Sequence, residues 1–196
     1  RLEADGTLRG TFTLTAEGQS DSNIRRIFTT GFQSEWKSTM ERQLLTISPK
    51  ARLLSVDYGK NPKDYQAAPI KITFRYEIPD YALKEMFFRP MVMNNLYNQV
   101  RSYLRIDTSV ENRKYGFKDG CSRLVELDEM IQLPAGYKLV NAAKNEMMQG
   151  VGADFEGSLT QKGNKVLLHN RLALKKRVYE ASDWESFRNA VNAHKA

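Results

Sequence analysis

The most constraining feature of the sequence is a run of nine residues in which apolar and polar side chains alternate without interruption. Isoleucine, phenylalanine and tyrosine occupy every second position of residues 70–78, and lysine, threonine, arginine and glutamate fill the positions between them. Successive side chains of a β-strand point to opposite faces of the sheet. The pattern therefore predicts a strand with one face in a core and the other in water, which is typical of antiparallel sheets.

Other segments repeat this two-residue period and are predicted as further strands. Gly163-Asn164 separates two of them and is a plausible two-residue hairpin loop. The sequence predicts strands over residues 7–17, 54–58, 125–133, 137–140, 155–161 and 165–179.

Two segments change to helical spacing. Apolar residues recur every three or four positions from Ser22 to Ser48, which predicts one long helix that ends before Pro49. Gly31 lies inside this segment, and a glycine within a helix costs about 1 kcal/mol relative to alanine, so two shorter helices are the alternative. Near the chain end, residues 182–185 read Ser-Asp-Trp-Glu, which has the form of a capping box and predicts a short C-terminal helix.

Together these elements predict a fold that is mainly β with α (α+β): antiparallel, β-sandwich-like sheets with one long helix and a short C-terminal helix. Composition changes near residues 79–84, which indicates a strand-helix-strand-strand lobe over residues 1–80 and a β-rich lobe over residues 81–196 that ends in a helix. The sequence leaves open whether the two lobes share one core. Residues 81–120 are predicted as strand–loop–strand.

The supply of reactive side chains argues against an enzyme. The 196 residues contain one cysteine, Cys121, and two histidines, His169 and His194, so the chain has no internal disulfide and no multi-cysteine metal site. Lys118 and Arg123 flank Cys121, but we interpret the residue as an incidental thiol. We therefore expect no catalytic residue, no cofactor and no metal. No run approaches the roughly 20 apolar residues that a membrane helix needs.

One group of residues is a candidate surface contact: His169, Arg171, Lys175 and Arg177, which the strand prediction places on one face. Because the net charge is +7, this face could bind an anionic ligand or a nucleic acid; the alternative is the solvated face of an amphipathic strand. We regard nucleic acid as the weaker interpretation, because Tyr179 is the single aromatic residue expected there and no nucleic-acid-binding motif is present.

Several short motifs are spread over nearly the whole chain. They are residues 5–10 (Asp-Gly-Thr-Leu-Arg-Gly), Gly18, Arg25-Arg26, Arg113 with Phe117, residues 133–137 (Leu-Pro-Ala-Gly-Tyr), and Tyr179 followed by Phe187 and Arg188. With these motifs the chain resembles the region of unknown function that follows the papain-like core in bacterial transglutaminase-like proteins of the Bacteroidetes type.

The resemblance implies a non-catalytic accessory or scaffold module of an exported protein, periplasmic or extracellular, that supports the core or positions a protein substrate. Its partners would be an upstream transglutaminase-like domain of the same protein and a protein or glycan ligand. The first residue is Arg1 rather than Met, so we expect a fragment of a longer protein or a processed form. The alternative is a carbohydrate- or anionic-ligand-binding β-sandwich module.

Overall fold

The computed structural model describes residues 1–67, 69–82, 107–140 and 145–195. The chain divides into two compact units, residues 1–98 (unit 1) and residues 99–196 (unit 2). Most of the predicted strand–loop–strand over residues 81–120 lies outside the described residues. Within the described part of the chain, no helix is long and apolar enough to cross a membrane.

Unit 1 contains a three-stranded antiparallel sheet and two helices. Its elements are β1 (Leu8–Ala16), α1 (Gly18–Thr29), α2 (Trp36–Leu45), β2 (Arg52–Asp57) and β3 (Ile70–Ile78). The strand order is β1-β3-β2, so β3 is central. Every second residue of β3, from Ile70 to Ile78, is buried, and the alternation predicted for this segment is confirmed.

The core of unit 1 joins the apolar face of this sheet to the two helices. Helix α1 packs against β1 and β3, and α2 packs against β2. The Phe28 and Trp36 rings meet edge to face with centroids 5.3 Å apart, and the Trp36 indole N–H donates to the Phe28 carbonyl oxygen over 3.1 Å. The buried indole therefore has the hydrogen bond that its polar end requires.

The prediction of one long helix over residues 22–48 is wrong in one respect, because the helix is broken in the middle. Phe32 adopts an extended backbone, and its N–H donates to the Glu35 carboxylate over 3.2 Å. Glu35 thereby closes a 3-10 turn, Gln33–Glu35, from which α2 continues. Gly31 lies between Thr29, where α1 ends, and this turn, so the glycine is outside both helices.

Unit 2 contains a four-stranded antiparallel sheet, a two-stranded ribbon and one helix. Its elements are β4 (Phe117–Lys118), β5 (Arg123–Gln132), β6 (Glu146–Gln149), β7 (Ala153–Lys162), β8 (Lys165–Leu174), β9 (Val178–Tyr179) and α3 (Trp184–Lys195). The sheet order is β5-β8-β7-β6, and β4 pairs with β9. Lys162 faces Lys165 across the predicted Gly163-Asn164 loop, where Gly163 has φ +59°, so the hairpin is confirmed.

Helix α3 packs on one face of the four-stranded sheet. Phe187, Ala190 and Val191 from the helix join Phe155 of β7 and Leu172 of β8 in one buried cluster. The helix begins after a 3-10 turn at Asp183, whose carboxylate accepts the Glu180 N–H over 2.9 Å. The cap is therefore formed by Asp183 and not by the predicted Ser182–Glu185 pair.

The segment 137–140 was predicted as a strand, and this prediction is wrong. The backbone there bonds to a side chain: the Leu139 N–H donates to Gln161 Oε1 over 2.6 Å, and Gln161 Nε2 donates to the Tyr137 carbonyl oxygen over 3.2 Å. One amide side chain thus replaces the ladder that a neighbouring strand would supply. The predicted fold class, antiparallel β-sheets with helices, is nevertheless confirmed.

Candidate functional site

The face of the four-stranded sheet opposite α3 is the broadest candidate site in unit 2, and we call it the open face. Cross-strand registers place its residues together, and each is exposed or half-buried. The open face consists of Leu124, Glu126, Asp128 and Met130 from β5, Leu167, His169 and Arg171 from β8, Asp154, Glu156, Ser158 and Thr160 from β7, and Met147 from β6.

Polar and charged side chains pair across the strands at the centre of the open face. Arg171 Nε donates to the Glu126 carboxylate over 3.1 Å, and the register places Glu156 on the other side of Arg171. His169 Nδ1 lies 2.7 Å from the Asp128 carboxylate. Each pair is partly in water and contributes about 0–1 kcal/mol, so these pairs set local charge balance more than stability.

Apolar side chains flank the charged rows. Leu124, Met130 and Met147 are 55%, 54% and 67% exposed. The open face is therefore apolar at its margins, and at its centre polar side chains contact each other across the strands. Such a surface can pack against a protein neighbour.

Only two of the four predicted contact residues share this face. His169 and Arg171 lie on β8 as predicted, but β8 ends at Leu174, before Lys175 and Arg177. The chain leaves the sheet there and pairs again as β9 with β4. In β9 Tyr179, predicted on the exposed basic face, is buried, and Val178 is exposed instead. The expectation that all four side chains line one strand face is therefore wrong.

Lys175 has a structural role at this turn. Its Nζ lies 2.7 Å from the Asp154 carboxylate and donates to the Gly150 carbonyl oxygen over 2.9 Å. The hydrogen bond from Lys175, together with one from the Gly150 N–H, holds the pKa of Asp154 below its usual value. Arg177 is exposed, and its carbonyl oxygen accepts the Asp119 N–H over 2.9 Å.

A second candidate site lies on the α3 side of the sheet, where four aromatic rings meet. The Phe117 ring stacks on Tyr179 with centroids 4.7 Å apart and meets Trp184 and Phe187 edge to face at 5.2 Å and 5.0 Å. We call these rings together with Arg113 the arginine–aromatic cluster. The Arg113 guanidinium lies 4.8 Å from the centroid of Phe117 and 4.4 Å from that of Trp184.

The loop that carries Arg113 is fixed to α3 by two further contacts. The Trp184 indole N–H donates to the Val110 carbonyl oxygen over 3.0 Å, and Arg188 Nε donates to the Thr108 carbonyl oxygen over 3.0 Å. Arg113 itself is half-buried, and its Nε is buried without a hydrogen-bond partner. Among the described residues, the guanidinium is therefore held by aromatic rings and not by oxygens.

Arg113 and Phe117 form one of the sequence motifs named above, but that motif alone did not predict a site. Their four-residue spacing was a signal, but it could not show that Trp184, far along the chain, supplies the second ring. Tyr179, expected on a basic strand face, belongs to this cluster instead.

The cysteine and the exposed histidine are far apart along the sheet. Cys121 is half-buried and lies two residues before β5 begins at Arg123. His169 pairs with Asp128, five positions along β5 from Arg123. At about 3.3 Å per residue, this places His169 roughly 17 Å along the strand from the start of β5.

The second histidine belongs to the covered side of the sheet. His194 is buried, its Nδ1 lies 2.6 Å from Asn170 Oδ1, and its ring lies 6.2 Å from that of Phe155. Among the residues that the structure describes, no group of three or more His, Cys, Asp or Glu side chains could hold a metal ion.

By class, unit 2 is an antiparallel four-stranded sheet backed by one helix, with an open face on the other side. Residues 84–196 match a family known as DUF3858, described as a domain of unknown function with a solved structure, and because the match spans more than half of its length, the chain belongs to that family. No curated protein and no solved structure matches the chain.

Proposed function

We propose that this chain is a non-catalytic accessory module of an exported, periplasmic or extracellular transglutaminase-like protein, and that it supports the core domain by docking through the open face. The motif resemblance to the region after such cores and the membership of residues 84–196 in a domain family of unknown function support this role.

The observation that carries the proposal is that the sheet of unit 2 has a helix on one face and exposed apolar side chains on the other. Three strands of ten residues each give the open face a footprint of about 33 Å by 14 Å. This area is similar to one side of a small protein–protein interface.

The charge pattern of the open face suits a stable contact. Arg171 is already paired with Glu126 before a partner domain docks, so docking does not bury the charge of Arg171 alone. A buried charge without a partner would cost several kcal/mol. The contact area then comes from Leu124, Met130 and Met147.

The docking test uses a separately purified transglutaminase-like core domain from a Bacteroidetes protein that also carries this family. We expect measurable binding to the 196-residue chain by calorimetry, and about tenfold weaker binding by the Met130→Glu variant, because a new unpaired charge would enter the interface. The matched control is Leu54→Glu, which changes an exposed residue of β2 in unit 1. Absence of binding by the unchanged chain, or equal losses in both variants, would contradict the proposal.

The non-catalytic part of the proposal has a separate test. The chain is incubated with glutaminyl peptides and an amine, and with chromogenic amide and ester substrates. We expect no turnover above buffer. Turnover that disappears in the Cys121→Ser variant would overturn the assignment.

A further inference from the structure

Arg113 differs from the other arginines that are buried or half-buried in the described part of the chain. Arg25, Arg123, Arg171 and Arg188 each donate to at least one carboxylate or carbonyl oxygen within 3.2 Å. Arg113 contacts only two aromatic rings within the part of the chain that the structure describes. It is therefore the one member of this group whose positive charge has no acceptor there.

The position of Arg113 is defined although its guanidinium donates to no oxygen of the described residues. A guanidinium carries five N–H donors in a planar fork. The Phe117 and Trp184 rings fix its plane, while Trp184 also holds the backbone of the same loop at Val110. A donor group that is already oriented loses little conformational entropy when a ligand binds.

We propose that Arg113 is an anchor that binds a carboxylate of an acidic polypeptide segment. The two terminal Nη groups would donate to the two carboxylate oxygens, which is the geometry that makes arginine–carboxylate pairs strong. The neighbouring exposed side chains extend the site: Tyr115 is 75% exposed, and Lys114 Nζ lies 5.9 Å from its ring. Val110, which is also exposed, adds apolar area on the same loop.

The chemistry favours a polypeptide over an acidic glycan. Sugars stack on free aromatic faces, but the two rings that contact Arg113 offer none to a sugar beside it: Trp184 is buried, and Arg113 itself covers the near side of the Phe117 and Trp184 rings. Exposed tyrosine and anchored arginine are the residue types that dominate protein interfaces. The net charge of +7 also increases the association rate of acidic partners.

This site lies on the α3 side of the sheet and does not depend on docking through the open face. Its test therefore uses the full chain alone. Arginine Nε–Hε signals of the labelled protein are followed by NMR during titration with hexaglutamate, with hexaglutamine as the uncharged peptide and tetragalacturonate as a glycan with the same acid group.

We expect hexaglutamate to shift the Arg113 signal in a saturable and salt-sensitive way, and hexaglutamine to leave it unchanged. Arg113→Lys should weaken binding about tenfold, because lysine keeps the charge but loses the fork. Arg171→Lys, a matched change at an arginine that is already paired, should alter the affinity less than about twofold.

Three results would overturn the inference. The first is a titration of the unchanged chain in which hexaglutamate shifts the signals of other arginines but not that of Arg113. This result requires no variant, so it is decisive even if Arg113→Lys fails to fold. Equal affinity of Arg113→Lys and the unchanged chain would exclude an anchor. Tighter binding of tetragalacturonate than of hexaglutamate would exclude a polypeptide ligand.

Discussion

Two arginines, one in each unit, show that the same type of side chain can stabilise the fold or keep its donors available for a ligand. Arg25 in α1 is buried; its Nε donates to Asp21 over 2.7 Å and its Nη1 donates to the carbonyl oxygens of Pro62 and Asp64 over 3.2 Å and 2.8 Å. Arg113 in unit 2 donates to no oxygen of the described residues and lies on two rings.

The difference separates a structural arginine from a binding arginine. Arg25 connects α1 to the loop that leads into β3, and its partner Asp21 also accepts the Ile70 N–H over 2.7 Å. Removing Arg25 would therefore leave the Asp21 carboxylate without its cation and would remove the Arg25 donor from the Pro62 carbonyl oxygen. Removing Arg113 would leave no oxygen without a partner among the described residues.

The largest expected effect is on stability, from Arg25→Met. Because Asp21 would stay largely buried without its cation, we expect the free energy of unfolding to fall by about 3–5 kcal/mol in urea denaturation. The double variant Asp21→Asn with Arg25→Met should recover part of that loss. A loss below about 1 kcal/mol in the single variant would mean that the Arg25 site does not hold unit 1 together.

A smaller loss is expected from Trp184→Phe. Phenylalanine keeps most of the packing but cannot donate to the Val110 carbonyl oxygen, which should cost about 1–3 kcal/mol. The same change should weaken hexaglutamate binding, because the ring nearest to Arg113 becomes smaller. Unchanged affinity for hexaglutamate together with lower stability would show that the Trp184 ring stabilises the fold but does not position Arg113 for binding.

The pH dependence of stability should report Asp21. Burial would raise the pKa of Asp21, but hydrogen bonds from Arg25 and Ile70 and the charge of Arg25 outweigh it, so the pKa lies below its ordinary value. The stabilisation is therefore complete above the unfolded pKa of about 3.9 and is lost as the pH falls through the lower folded value.

Unfolding measured between pH 5 and pH 2 should accordingly show a steeper loss in the unchanged chain than in Asp21→Asn. Asp183 gives a similar contribution in unit 2, where the hydrogen bond from Lys176 and one from the Glu180 N–H lower its pKa. Parallel curves for the unchanged chain and Asp21→Asn would contradict the account of the Arg25 site.

The smallest stability effect is expected from Arg113→Lys. Only the contacts with two rings are weakened, so the free energy of unfolding should change by less than about 1 kcal/mol. This value can be compared directly with that of Arg25→Met in the same assay. Equal losses in the two variants would remove the distinction between a structural and a binding arginine.

Patterns that are local in sequence were predictable. The alternation of residues 70–78 and the Gly163-Asn164 loop each depend on neighbouring residues, and both are confirmed. Two shorter helices were the alternative rather than the main prediction, because the helical spacing of apolar residues continues through the break. In the structure α1 ends at Thr29, and the turn closed by Glu35 leads into α2.

Errors arose where distant residues decide the structure. Alternation cannot show that β8 ends at Leu174, so Lys175 and Arg177 were placed on the same face as His169 and Arg171. The arginine–aromatic cluster was missed as a site for the same reason: its rings come from β4, β9 and α3, which meet only in the folded unit.

The docking proposal is tested most directly by methionine methyl NMR during titration with the transglutaminase-like core domain. Met130 and Met147 are exposed on the open face, whereas Met40 is buried in unit 1 and provides an internal control. We predict that the Met130 and Met147 methyl signals shift and saturate while the Met40 signal stays in place. Signals of Met130 and Met147 that remain unmoved at saturating core domain would contradict docking through the open face.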